Sequence, residues 1–94
     1  MKAQIFNRSV WVNNGNGRAV AQCVDFSLQI ANFNIIESID YDFPTKGYTK
    51  LWLLAESHCA IHSFPEEEKT YLEISSCSLS LLTTFWDHFE LTGV

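Results

Sequence analysis

Between residues 47 and 77 the chain reads GYTKLWLLAESHCAIHSFPEEEKTYLEISSC, and its architecture can be worked out from this segment. Residues 51–55 form a continuous apolar run that is too short for a helix. Residues 59–64 continue an extended pattern until Pro65, a residue that removes a backbone donor from a strand. Residues 71–76 alternate between two faces, as side chains in a strand do. We therefore predict that the middle of the chain consists of strands.

The segment before this region predicts a strand, a helix and a second strand. Residues 3–12 are rich in β-branched and aromatic side chains, and the Asn and Gly cluster at 13–17 indicates a loop. From 18 to 31 apolar residues recur every three or four positions, which is the period of an amphipathic helix. Residues 34–43 return to a strand pattern, in which Ile35, Glu37, Ile39 and Tyr41 are expected to share one face.

A second helix is predicted directly after Cys77. Ser78 is a suitable N-cap, and Gly93 stands where a helix commonly stops. The apolar stripe expected between them consists of Leu79, Leu82, Phe85, Trp86 and Phe89. We predict an α+β fold, a two-layer sandwich with an antiparallel sheet and both helices on one face of it.

Composition limits the classes to which this chain can belong. With 94 residues, 47% of them hydrophobic and 18% charged, we expect a single globular domain spanning 1–94. A net charge of −5 makes nucleic acid an unfavourable partner. The chain contains no apolar run long enough for a membrane span and no secretory signal at its start, so we expect a cytoplasmic protein without a membrane partner. The 14% of aromatic residues favours a homodimer that covers the second sheet face.

Two rival chemistries fit the residue pattern poorly. The three cysteines lack Cys-x-x-Cys spacing, and a strand would place His58 and Cys59 on opposite faces, so we expect no metal site. A serine hydrolase centred on Ser57 would lack the usual Gly-x-Ser-x-Gly turn.

The segment from Gly47 to Cys77 resembles the prokaryotic S-adenosylmethionine decarboxylases, which are small enzymes with a pyruvoyl group. Without a gap, the chain carries Glu56-Ser57-His58, Ile61-His62, Phe64-Pro65-Glu66 and the lone Cys77 in the register of that family. The resemblance implies self-cleavage between Glu56 and Ser57, which would convert Ser57 into the pyruvoyl group. No external cofactor would then be needed.

The family also implies roles for the neighbouring residues. Thr49 and His62 match the hydroxyl and imidazole groups that assist cleavage, and Cys77 matches the thiol that returns a proton to the substrate carbon. Glu56 would become a new carboxylate. Phe43 and Phe64 match aromatic positions that hold the adenosyl part of the substrate in the family. Glu66, in the acidic run 66–68, would add negative charge that suits a small cationic substrate derived from an amino acid.

Departures from the family pattern leave alternatives open. Thr49 replaces a usual serine, Lys50 a glycine, Tyr41 a histidine and Phe64 a tryptophan. Our first hypothesis for the function is the conversion of S-adenosylmethionine to its decarboxylated form for spermidine synthesis. The alternatives are a homologue that acts on ornithine or arginine, and a non-processing homologue that regulates or binds. Typical members continue into a further strand beyond Val94, so we expect one sheet edge to be short or completed by a partner.

Overall fold

The computed structural model describes residues 2–94, which form a five-stranded sheet, two helices and a short 3-10 turn at Pro65–Glu67. The elements in chain order are β1 (Phe6–Val12), α1 (Gly17–Ile30), β2 (Ile35–Asp42), β3 (Tyr48–Leu54), β4 (Ser57–Phe64), β5 (Lys69–Ser76) and α2 (Leu79–Leu91). Each predicted strand and helix is present, with ends that differ from the prediction by a few residues.

The sheet has the strand order β1-β5-β4-β3-β2, and every neighbouring pair is antiparallel. Helix α1 packs against β3 and β4, helix α2 packs against β5, and the helices contact each other. Both helices therefore cover one face of the sheet, and the predicted two-layer α+β sandwich is confirmed.

The helices begin and face the core as their sequences predict. The Asn16 side chain accepts a hydrogen bond from the Ala19 N–H, and Ser78 does the same for Leu81. The five apolar residues that recur between positions 18 and 31 are all buried: Val20, Ala21, Val24, Leu28 and Ala31. In α2 the stripe is buried from Leu82 onward, whereas Leu79 in the first turn is 55% exposed, so its predicted place in the core was wrong.

Strand β2 contains an irregularity that the alternating pattern did not reveal. Ile35 pairs with Leu54, but Glu37 pairs with the adjacent Leu53, so the register shifts between them. A bulge of this kind turns the side chains on its two sides toward opposite faces. Ile35 therefore packs against the core, and the prediction that it shares a face with Glu37 was wrong.

The face of the sheet opposite the helices carries exposed apolar side chains. Ile39 is 69% exposed, Leu51 45% and Leu53 54%. They border a shallow groove of about 460 Å³. We call this side of the sheet the open face, and the residues that line its groove include Ile39, Leu51, Leu53, Ala60, His62 and Glu73. Of the described helices, neither is long and apolar enough to cross a membrane.

Candidate active site

The bond between Glu56 and Ser57 lies in the tight turn that joins β3 to β4. Leu54 pairs with Ser57, so Ala55 and Glu56 form a two-residue loop. Glu56 has a φ of 55°, in the left-handed region, which costs about 1–2 kcal/mol for a residue with a Cβ atom. The Ala55 N–H donates to the Asn34 carbonyl oxygen at 3.0 Å, which anchors the loop. The turn therefore holds this peptide bond in a constrained, exposed position.

The Ser57 side chain faces the helical layer and is half-buried. Its hydroxyl donates a hydrogen bond to the Ser76 Oγ, its cross-strand partner on β5, at 3.0 Å. Ser76 is fully buried and also accepts a hydrogen bond from the Ser78 backbone N–H at 3.0 Å. The alternation of residues 71–76 predicted a strand but gave Ser76 no role. Only the pairing of β4 with β5 reveals its contact with Ser57.

Cys77 completes a cluster around the turn. Its Sγ lies 3.6 Å from the Glu56 Oε2, and its side chain is exposed. We name these residues the turn cluster: Glu56, Ser57, Ser76 and Cys77. A cavity of about 700 Å³ lies beside the cluster, between residues 2–5 and the side of Glu56 and Cys77. The structure thus brings together three of the residues predicted for catalysis, namely Glu56, Ser57 and Cys77.

The other two cysteines have different surroundings. Cys59 is buried in the core, and burial raises the pKa of its thiol, so the thiol stays protonated. Cys23 is partly buried on α1. Of the three thiols, that of Cys77 is the exposed one.

Thr49 and His62 form a second cluster on the open face. They are cross-strand partners on β3 and β4, and the Thr49 Oγ1 lies 3.0 Å from the His62 Nδ1. The His62 ring stacks on Tyr71, with 6.3 Å between ring centroids. The hydroxyl and tyrosine ring hold the imidazole in one orientation. We name these residues the imidazole cluster: Thr49, His62 and Tyr71.

The three residues predicted to bind substrate lie at the same end of the sheet as the imidazole cluster. Phe64 ends β4 two residues after His62 and packs against Trp11, with 5.8 Å between centroids. Phe43 follows β2 and packs edge-on against Tyr41 at 5.0 Å. Glu66 is exposed in the 3-10 turn. Phe43 and Phe64 are 48% and 37% exposed, so both rings are accessible.

Within one chain the imidazole cluster does not meet the turn cluster. Thr49 precedes Leu54, the strand partner of Ser57, by five residues, which is about 16 Å along a strand. Ser57 also lies on the helix-covered face with Ile61, whereas His62 lies on the open face. The chain therefore carries two separate groups of predicted site residues at opposite ends of its sheet.

No group of three or more histidine, cysteine or acidic side chains in residues 2–94 is arranged to hold a metal ion. The chemistry available at the two clusters is that of hydroxyls, one imidazole, one exposed thiol and carboxylates.

Comparison with known proteins gives consistent matches. The family model described as S-adenosylmethionine decarboxylase matches residues 15–90, which is most of the chain. The S-adenosylmethionine decarboxylase proenzyme of Aquifex aeolicus (strain VF5) is 33% identical over 58 residues, covering 62% of this chain and 43% of that protein. The proenzyme of Prochlorococcus marinus (strain MIT 9211) is 32% identical over 54 residues, covering 57% of this chain and 44% of that protein. The matches thus span less than half the length of these relatives.

The fold has a counterpart among solved structures. The crystal structure of the adenosylmethionine decarboxylase from Aquifex aeolicus VF5 superimposes with a TM-score of 0.73, covering 95% of this chain and 76% of that one. Because the two sequences are only 22% identical in this comparison, the likeness establishes the fold alone.

Proposed function

This chain belongs to the S-adenosylmethionine decarboxylase family, and from that membership we propose that it is a self-processing decarboxylase whose reactive carbonyl is made from Ser57. The observation that carries the proposal is the turn cluster. There, the Glu56–Ser57 bond follows a left-handed residue, and the exposed Cys77 thiol lies beside it.

The bonds that change in self-processing belong to this turn and to one water molecule. The Ser57 Oγ attacks the Glu56 carbonyl carbon, the C–N bond breaks, and the peptide bond becomes an ester with a free amine. Elimination then releases Glu56 as a carboxylate and leaves a dehydroalanine at position 57. Its imine tautomer is hydrolysed by water, which releases ammonia and leaves the pyruvoyl group.

The surroundings of Ser57 fit such a group. Ser57 is paired with Leu54 on one side and with Ser76 on the other. A new chain end at residue 57 would remain anchored between two strands after the bond has broken. When formed, the pyruvoyl group supplies an electrophilic carbonyl that binds the substrate's amino group and accepts electrons from the breaking carboxylate bond.

The residues of this chain would supply the remaining functions. The Cys77 thiol, next to Glu56, donates the proton that replaces carbon dioxide. Phe43 and Phe64 offer aromatic faces to a cationic substrate, an attraction of about 0.5–2 kcal/mol. Glu66 adds negative charge at the same end of the sheet. A sulfonium and an ammonium group, as in S-adenosylmethionine, suit these side chains, and the product would be the aminopropyl donor for spermidine synthesis.

A complete site requires two copies of the chain in this proposal. The two clusters of one chain are about 16 Å apart along the strands and on opposite faces of the sheet. If the open faces of two protomers pack together about a two-fold axis perpendicular to the strands, opposite ends of the two sheets come together. The imidazole cluster of one protomer would then approach the exposed β3–β4 loop of its partner, Ala55 and Glu56, which precedes Ser57. The exposure of Ile39, Leu51 and Leu53 in the single chain supports this packing, which would bury them.

Co-expression of two inactive variants tests the function and the shared site together. Ser57→Ala removes the nucleophile, and His62→Ala removes the imidazole. Each variant alone should stay intact. In the mixture, we expect cleavage of the His62→Ala chain, because the partner supplies the imidazole, while the Ser57→Ala chain remains whole. Distinct tags report each chain by mass. If the mixture stays uncut while the wild-type chain is cut, the site is not shared.

Assays of carbon dioxide release with S-adenosylmethionine, ornithine and arginine identify the substrate. We expect release with S-adenosylmethionine. Release with ornithine or arginine alone would contradict the proposed substrate but retain the proposed chemistry, whereas release with none of the three by a cleaved protein would contradict the decarboxylase activity.

A further inference from the structure

We propose that Ser76 is a positioning residue for the self-cleavage, because its buried hydroxyl holds the Ser57 hydroxyl in the orientation that attack on the Glu56 carbonyl requires. The proposal rests on the proposed function, since it concerns the same peptide bond.

Ser76 is held in place by burial, by strands on both sides and by a hydrogen bond to its side chain. Its side chain is fully buried, and on β5 it is paired with Phe6 of β1 and with Ser57 of β4. A residue between two strands cannot shift without breaking hydrogen bonds on both sides. Its Oγ also accepts the Ser78 N–H at the start of α2, which restricts the rotation of the side chain.

The hydrogen bonds at Ser76 fix the direction of the Ser57 proton. A hydroxyl oxygen has two acceptor positions, and in Ser76 these receive the Ser57 O–H and the Ser78 N–H. The Ser57 proton therefore points toward β5. The lone pairs of the Ser57 Oγ stay free of that bond and available to the preceding carbonyl carbon.

Ser76 can orient the Ser57 hydroxyl, whereas the imidazole cluster of the same chain cannot reach it. Thr49 and His62 lie five residue pairs away from Ser57 and on the other face of the sheet. Among the described residues, the side-chain hydrogen bond of Ser57 is the one to Ser76.

In the step concerned, the bond from the Ser57 Oγ to the Glu56 carbonyl carbon forms as the bond from that carbon to the Ser57 nitrogen breaks. The hydroxyl proton ends on the freed nitrogen as part of the amine. Ser76 contributes no atom to the product, and the step requires no oxidant or reductant.

The test compares cleavage rates of freshly refolded variants by intact mass. Ser76→Ala should slow the appearance of fragments 1–56 and 57–94 by about tenfold or more, the effect of losing one hydrogen bond of about 1.4 kcal/mol in the transition state. Ser76→Thr restores the hydroxyl and should return the rate to within about threefold of wild type. The matched control is Thr70→Val, which removes another fully buried hydroxyl from the same face of β5, at 2.7 Å from the Asn14 carbonyl oxygen. It should leave the rate unchanged.

Hydroxylamine distinguishes an effect on ester formation from an effect on the later elimination, because it cleaves the ester but not the peptide bond. In Ser76→Ala, the cleavage induced by hydroxylamine should fall by the same factor as the spontaneous cleavage, since ester formation is the step that suffers. Circular dichroism confirms that the variant is folded. If Ser76→Ala does not fold, Ser76→Cys, which fills the same space with a weak acceptor, should show the same loss.

Two results would overturn the inference while leaving the proposed function intact. One is a folded Ser76→Ala chain that is cut at the wild-type rate, and the other is wild-type hydroxylamine cleavage in that variant. A wild-type chain that forms no ester at all would overturn the proposed function and this inference with it.

Discussion

Cys77 stands out among single residues because its exposed thiol lies 3.6 Å from the Glu56 carboxylate oxygen. If this thiol returns the proton during decarboxylation, Cys77→Ala should leave self-cleavage intact and lower the rate of carbon dioxide release by about 100-fold or more, which is the usual contribution of a general acid. Intact mass and the release assay measure the two steps separately.

Cys23→Ala is the matched control for this prediction, because Cys23 is partly buried on α1, away from the turn cluster. It should retain both steps. Unchanged carbon dioxide release by Cys77→Ala would show that another group donates the proton.

Tyr48 provides a prediction about pH. Its phenol is buried and donates to the Asp40 carboxylate at 2.6 Å, and burial, followed by this hydrogen bond, raises the pKa of Tyr48 from 10.0 to about 12. The folded state therefore keeps this proton up to a higher pH than the unfolded chain does. The resulting stability is fully present below about pH 10 and is lost as the pH rises through about 12.

A pH titration followed by phenolate absorbance should thus show that one of the three tyrosines ionises at a higher pH than the other two. In Tyr48→Phe the late step should disappear, and the free energy of unfolding should fall less steeply between about pH 10 and pH 12 than in wild type. A wild-type titration in which all three tyrosines ionise together near their ordinary pKa would contradict the buried position of Tyr48.

At the scale of elements, helix α1 is tied to β3 by Asp25. Its carboxylate accepts hydrogen bonds from the Trp52 Nε1 at 2.5 Å and from the Lys50 Nζ at 3.0 Å. The Lys50 side chain is only 16% exposed, so Asp25→Ala leaves a mostly buried ammonium and a buried indole N–H without a partner. We expect the free energy of unfolding to fall by about 2–3 kcal/mol, measured by urea titration.

Glu90→Ala is the control for the tie between α1 and β3. Glu90 pairs with Arg8 at 3.6 Å, and the two side chains are 64% and 49% exposed, respectively. Loss of such a surface pair should change stability by less than about 0.5 kcal/mol. Equal effects of Asp25→Ala and Glu90→Ala would contradict the importance assigned to Asp25.

Apolar periodicity in the helices, together with apolar runs, alternation and β-rich composition in the strands, predicted each α-helix and strand, but these patterns could not predict local exceptions. The bulge next to Ile35 depends on the register with β3, which involves residues far along the chain. Leu79 fits the apolar spacing of α2, yet it lies in the first turn of the helix and is 55% exposed.

The sequence predicted which residues make up the candidate site, but it did not predict where those residues lie relative to one another. Glu56, Ser57 and Cys77 meet at one turn, whereas Thr49 and His62 lie at the opposite end of the sheet. The motif orders these residues along the chain but carries no information about strand pairing, which is what separates them. Ser76 escaped notice for the same reason, because a serine in an alternating strand has no distinctive spacing.

At the scale of the whole molecule, the exposed apolar side chains of the open face indicate that two copies of the chain form a dimer. Leu51 lies near its centre and is 45% exposed, so Leu51→Lys should place a charge in the proposed interface and convert the dimer to a monomer in sedimentation experiments. Self-cleavage should be lost with the dimer, because each site draws on both protomers in the proposed arrangement.

Leu91→Lys is the control for assembly. Leu91 is 84% exposed at the end of α2, on the helical side of the molecule, so this variant should remain a dimer and be cut normally. A Leu51→Lys chain that stays dimeric would place the interface elsewhere.

The most direct measurement of the central claim, that Ser57 turns its own peptide bond into a reactive carbonyl, is the intact mass of freshly refolded wild-type protein over time, beside that of Ser57→Ala. We predict that the 10.8 kDa wild-type chain gives way to fragments 1–56 and 57–94, with a carbonyl in place of the amino group on the second, while Ser57→Ala stays whole. A folded wild-type chain that remains at full mass, like the variant, would contradict the claim.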